Sequence, residues 1–144
     1  MTEQNMPQEK RIVDDILQYI HVFHRNVDGY FGSMALKSSS IEEFREYFNK
    51  AKPKINFINI LLMNLTKRFS ESEDDKKVKI ARRVRTIHQR WLSNVGIVNN
   101  LYKLDLEEAL STYKRNEKIL DENEKIISEE GTHVQKEIMT LLKE

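Results

Sequence analysis

Apolar residues recur at alternating steps of three and four through most of the chain. In the second predicted helix the series is Phe44, Phe48, Ala51, Ile55, Ile58, Leu62, Leu65 and Phe69. Residues with this spacing lie along one side of an α-helix, whereas strands alternate every second residue. With only 4 glycines and 2 prolines in 144 residues, the sequence predicts long helices and few turns.

Three further series of the same kind complete the pattern. The first runs from Val13 to Met34, the third centres on Val84, Trp91 and Val98, and the fourth repeats every seven residues after residue 106. The four predicted helices cover residues 8–34, 41–70, 74–103 and 106–130. Because short connections join antiparallel neighbours, we predict an all-α fold, an antiparallel up-down four-helix bundle with long coiled-coil-like helices. Residues 8–144 form a single domain in this interpretation.

The ends and breaks of these helices are less regular. Residues 1–7 are polar and are expected to be disordered. Pro53 costs about 3 kcal/mol inside a helix, but the apolar series keeps its phase there, so we predict one helix kinked before Pro53, with two helices as the alternative. At Gly131 we expect a break, because Thr132 and Gln135 form a capping box. A short fifth helix over residues 132–143 follows, with an unbroken fourth helix as the alternative.

Composition limits the class of protein. The chain has no cysteine, so disulfides and thiolate metal sites are excluded. The first ten residues lack the apolar core of a signal peptide, and the longest apolar run, residues 55–65, is shorter than the roughly 20 residues that span a bilayer. We predict a soluble, cytoplasmic protein without a membrane span.

The back of the second helix is the first candidate site. Ile60 and Met63 lie opposite the apolar series, with Asn56 and Asn59 beside them and no charged residue among them. Phe57 is assigned to the buried side. An outer helix face normally carries Lys or Glu, so we predict a protein interface at Asn56, Asn59, Ile60 and Met63. The alternative is that the C-terminal tail or the turn before the helix covers this face.

The third helix is the second candidate site. The net charge of the chain is only +1, yet residues 76–103 contain 8 basic and no acidic side chains. One side of this helix gathers Lys76, Lys79, Arg82, Arg83 and Arg90. Such a face can bind phosphates, as in nucleic acid, or anionic lipid headgroups. The alternative is a solvated face that the acidic fourth helix partly neutralises.

The histidines form no recognised metal motif. His21, His24 and Asp28 follow one another at steps of three and four, and Glu130 with His133 gives a single ExxH pair. A dimetal bundle needs two such pairs and two further inward glutamates. Since the apolar series places His21 and His24 on its flanks, we interpret them as hydrated surface histidines and predict no metal.

No Gly-rich loop, nucleophile elbow or isolated inward carboxylate pair is evident, so we expect neither an enzyme nor a cofactor or small-molecule substrate. The preferred function is a protein–protein interaction module of the adaptor, assembly or immunity type that binds a protein partner and self-associates. The fourth helix supports this because Glu117, Glu124 and Gly131 interrupt its apolar series, leaving room for another chain. Nucleic-acid binding by the third helix is the alternative.

Overall fold

The computed structural model describes the backbone of residues 2–143 and the side chains of residues 7–143. Its four helices are α1 (Thr2–Ala35), α2 (Ile41–Ser70), α3 (Asp75–Tyr102) and α4 (Leu106–Lys143). Each helix packs against the next, and α4 packs against α1. The predicted all-α four-helix bundle is therefore confirmed.

Local sequence sets the helix starts. Ser40 Oγ accepts a hydrogen bond from the Glu43 backbone N–H at 3.2 Å, which caps α2. Asp105 Oδ1 accepts one from the Glu108 N–H at 3.0 Å, which caps α4. The α2 helix runs unbroken through Pro53, which is exposed. The prediction of one helix here rather than two is confirmed.

The prediction of a fifth helix is wrong, because α4 continues to Lys143. Gly131 is buried, and a Cβ atom there would lie 2.7 Å from both Cδ atoms of Leu17. The glycine therefore gives a side chain of α1 room to approach α4 rather than ending the helix. Beyond it, Val134 and Ile138 are fully buried, so the continued helix adds to the core.

The start of α1 was also placed too late. The helix begins at Thr2 and so includes most of the segment predicted to be disordered, while Met1 lies outside the described residues. Pro7 removes only one backbone hydrogen bond near the helix start. Farther along α1, Asp14 Oδ1 accepts a hydrogen bond from Gln135 Nε2 at 2.9 Å, so the continued part of α4 packs beside α1.

Aromatic side chains fill the centre of the bundle. Trp91 of α3 is 1% exposed and meets Phe23 of α1 edge to face, with ring centroids 5.2 Å apart. Tyr19 contacts Trp91 in the same way at 6.3 Å. Nearer one end, Phe31 of α1 stacks on Tyr113 of α4 at 4.5 Å. These rings join α1 to the diagonal helix α3 as well as to its neighbour α4.

A pair of buried asparagines interrupts the apolar core between α3 and α4. Asn123 Nδ2 donates to Asn94 Oδ1 at 2.8 Å, and Asn94 Nδ2 donates to the Leu120 carbonyl at 3.2 Å. Arg90 of α3 donates to Asn123 Oδ1 at 3.2 Å. The polar layer lies in the section of α4 that has few apolar residues, and it satisfies the amides without water.

No helix among the described residues is long and apolar enough to cross a membrane.

The asparagine pair makes a testable prediction about stability. Asn123→Ala leaves the Asn94 oxygen without its donor, and we expect a loss of about 1–3 kcal/mol in the free energy of unfolding. Asn94→Ala should cost less, because the Asn123 amide still donates to Ser93 Oγ at 3.1 Å. The double variant should cost clearly less than the two single losses added together, because neither amide is then left without its partner. Urea denaturation of the four proteins measures this, and additive losses would contradict the pairing.

Candidate functional site

The outer face of α2, defined here as Asn56, Phe57, Ile60, Met63 and Asn64, is uncovered in the structure. Ile60 is 53% exposed and Met63 is 59% exposed. Phe57 is 49% exposed, so its assignment to the buried side was wrong. The three exposed apolar side chains span the outward side of the helix. Neither the α1–α2 turn nor the described part of the C-terminus covers them.

Asn59, the remaining residue of the predicted interface, is only partly exposed, and its Oδ1 is buried without a hydrogen-bond partner among the described residues. Asn59 therefore contributes less to the outer face than Ile60 and Met63 do. On α3, Leu92 is 46% exposed.

His88 of α3 is partly buried. Burial lowers its pKa, because the charged imidazolium loses hydration there. Its Nε2 is buried and has no hydrogen-bond partner in the described structure. The ring is therefore a partly buried histidine whose Nε2 is not accessible to solvent.

The predicted basic face is divided by the packing of α3 against α4. Arg83 Nε donates to Glu137 at 2.8 Å, and its Nη1 donates to Glu130 at 3.2 Å. Burial disfavours the charged guanidinium, but the two carboxylates outweigh that effect and raise the pKa of Arg83. Arg90 is held by Asn123 through the hydrogen bond described above. Both arginines are therefore engaged within the bundle.

The other three basic residues have different surroundings. Lys79 and Arg82 are exposed on α3. Lys76 is exposed as well, and it has an interaction of its own within the chain. The structure thus keeps the five basic residues on one helix but does not leave them as one free surface.

A row of polar contacts joins α1 to α4. His21 Nδ1 lies 3.1 Å from Glu124 Oε1. One turn along, His24 Nε2 lies 3.2 Å from Asp121 Oδ1 and 3.3 Å from Asp28 Oδ2. The His24 side chain is only 15% exposed, so the interpretation of this residue as a hydrated surface histidine was wrong. Antiparallel packing caused the difference, because it brings carboxylates of α4 against the flank of α1.

Tyr113 of α4 extends this row by donating its hydroxyl proton to Asp28 Oδ1. Burial and then the neighbouring carboxylate of Asp28 raise the pKa of Tyr113, so the phenol stays protonated and remains a donor. Glu130 and His133, the ExxH pair in the sequence, do not act together, because Glu130 pairs with Arg83 while His133 is exposed.

Asp121 and Tyr113 were not recognised as candidates from the sequence. The usable signal was a shared spacing: His21 and His24 are three residues apart on α1, and Asp121 and Glu124 are three apart on α4. In antiparallel helices such pairs face each other if the register is right. The sequence supplies the spacing, but only the packing supplies the register.

The chain matches no protein-family model, and comparisons with curated proteins and with solved structures find no significant similarity.

The contacts of Arg83 predict that it stabilises the bundle more than the adjacent Arg82. We expect Arg83→Gln to lower the free energy of unfolding by about 1 kcal/mol, because it leaves two partly buried carboxylates without their partner. Arg82→Gln, the matched control on the exposed side, should change it by less than about 0.5 kcal/mol. Urea denaturation at low salt measures both, and equal losses would contradict this division of the basic face.

Proposed function

We propose that this chain is a protein–protein interaction module that binds its partner through the outer face of α2. The observation that carries the proposal is the exposure of three large apolar side chains on one helix, at 49%, 53% and 59% for Phe57, Ile60 and Met63. No charged residue occurs from residue 55 to residue 66. A solvated helix face ordinarily carries charges at such positions.

The chemistry of this face is that of an interface. Aromatic residues and methionine are enriched at protein interfaces, whereas Lys, Glu and Asp are depleted at their centres. The inner side of α2 is already satisfied, because Ile58 and Leu62 are 1% and 2% exposed in the core. The outer apolar side chains therefore add little to the fold, and burial against a partner would remove them from water.

Charges at the two ends of the face indicate the kind of partner. Lys54 and Lys67 bracket the uncharged stretch. The Lys54 ammonium lies 5.2 Å from the centre of the Phe57 ring, which places its charge at the border of the apolar surface. This arrangement fits a partner segment that is apolar at its centre and acidic at its flanks.

Self-association remains part of the proposal, with a geometric condition. Two copies of α2 packed antiparallel about Ile60 would bring Lys54 of one copy opposite Lys67 of the other, and like charges would repel. Parallel packing would likewise bring each lysine opposite the same lysine of the other copy, so a second copy would bind with its α2 steeply crossed. A different protein with acidic flanks has no such restriction.

The alternative proposal, nucleic-acid binding by α3, has less support. Two of its five basic residues, Arg83 and Arg90, already donate hydrogen bonds within the bundle. Glu130 and Glu137 also place negative charge beside the face that would have to approach phosphates.

The interaction proposal is tested by placing charge on the α2 face. Ile60→Glu and Met63→Glu should abolish self-association in light scattering at micromolar concentration, or the capture of a partner in a pull-down. Both side chains are more than half exposed, so the variants should keep wild-type helix content and nearly wild-type stability.

Ile119→Glu on α4 is the matched control, since Ile119 is 46% exposed on the helix diagonal to α2. It should leave association and partner capture unchanged. A strict monomer from which no partner is recovered, with Ile60→Glu and Met63→Glu having no effect, would overturn the proposal.

A further inference from the structure

Three potential metal ligands converge at the centre of the polar row between α1 and α4. They are His24 and Asp28 on α1 and Asp121 on α4. One ligand atom from each residue lies within 4.8 Å of the other two. The residues come from two helices and are far apart in sequence, so the packing of the bundle creates the cluster.

The contacts of His24 are more than an ordinary ion pair requires. Its Nε2 atom carries at most one hydrogen, yet carboxylate oxygens of Asp28 and Asp121 lie 3.3 Å and 3.2 Å from it. One N–H cannot point well at both oxygens. One turn away, His21 shows the simpler case, in which one nitrogen faces a single carboxylate of Glu124 at 3.1 Å.

The two carboxylates also repel each other. Asp28 and Asp121 offer oxygens within 4.8 Å of one another, and Glu117 of α4 adds negative charge nearby through its effect on Tyr113. A positive charge among these groups would reduce that repulsion. A protonated His24 supplies one unit of charge from the edge of the cluster, whereas a divalent cation at its centre would contact all three ligand atoms.

The distances suit a cation of that kind. Zinc binds histidine nitrogen and carboxylate oxygen at about 2.0–2.2 Å, so neighbouring ligand atoms in a tetrahedral site lie roughly 3.3–3.6 Å apart. Two of the three ligand separations, 3.2 Å and 3.3 Å, lie at the lower edge of this range before any adjustment. An imidazole ligand favours first-row transition metals over Mg²⁺ and Ca²⁺, which prefer all-oxygen sites.

The surroundings support and admit such an ion. Tyr113 donates to the Asp28 oxygen that His24 does not contact, which fixes the carboxylate as outer-shell partners fix ligands in metal sites. The side chains of Asp28 and Asp121 are 40% and 58% exposed, so a hydrated ion can reach them from solvent. Water can complete the coordination on that side.

We propose that His24, Asp28 and Asp121 form a binding site for a divalent transition-metal cation that cross-links α1 and α4. The site lies on the opposite side of the bundle from the α2–α3 junction, and it does not depend on the proposed interaction function. Bound metal would join two helices at mid-length and stabilise the folded chain.

The test uses the full chain, purified in metal-free buffer at pH 7.5, with ZnCl₂ as the probe and MgCl₂ for comparison. Isothermal titration calorimetry should give one Zn²⁺ per chain and no binding of Mg²⁺ at the same concentration. At about 100 times the dissociation constant, Zn²⁺ should raise the melting temperature by roughly 5–10 °C.

Variants then locate the site. Asp121→Asn and His24→Gln should each weaken Zn²⁺ binding by at least about tenfold. Asp121 is exposed enough that its variant should fold without metal, which keeps the test valid if His24→Gln proves unstable. Two variants are the controls and should bind Zn²⁺ as the wild type does. Asp15→Asn changes an exposed aspartate on the same helix as His24, and His21→Gln changes the neighbouring pair of His21 and Glu124.

Failure to bind Zn²⁺ at 100-fold molar excess would overturn the proposal, and the cluster would then be only an ion-paired junction. Binding that survives both Asp121→Asn and His24→Gln would overturn it as well, because the ion would then occupy another surface histidine such as His133.

Discussion

The packing of α4 is the constraint on which the rest of the structure depends. Between residues 114 and 125 this helix has only two apolar side chains, Ile119 and Leu120, and only Leu120 is buried. A helix with so narrow an apolar strip cannot dock on two neighbours through hydrophobic contact alone. Its remaining width is covered by polar groups that must find partners, because buried polar groups are costly when unpaired.

Those partners come from both neighbouring helices. Toward α3 they are the Asn94–Asn123 layer and the two carboxylates on Arg83. Toward α1 they are the histidine and carboxylate contacts and the close approach of Leu17 to Gly131. The sequence pattern that looked like missing apolar residues is therefore largely a set of polar contacts within one chain. This weakens the idea that a second chain must complete α4.

On the diagonal helix the situation is reversed. α2 buries a continuous apolar side from Ile41 to Phe69, and it still presents apolar side chains on its outer face. The polar α1–α4 junction, where we propose that a cation binds, and the apolar face of α2, where we propose that a protein binds, thus lie on different sides of the bundle. The acidic side chains of the α1–α4 junction therefore lie away from the apolar face of α2.

Much of this architecture could be predicted from the sequence. The periods of three and four predicted all four helices, and the capping residues placed the starts of α2 and α4. The continuation of α4 past Gly131 could not be predicted, because it depends on the approach of Leu17 from the neighbouring helix. The contact between His24 and Asp121 could not be predicted, because the two residues are 97 positions apart and meet only through the register of α1 against α4. The exposure of Phe57 likewise depends on how closely α1 approaches α2.

The central claim is that α2 uses one face for folding and the other for contact, and single alanine substitutions along the helix test it most directly. The free energy of unfolding should fall by about 2–5 kcal/mol for Ile55→Ala, Ile58→Ala and Leu62→Ala, which empty positions in the core. It should change by about 0.5 kcal/mol or less for Ile60→Ala and Met63→Ala, measured by the same urea denaturation. Comparable losses on both faces would contradict the account, because they would mean that the outer face is already buried in the folded chain.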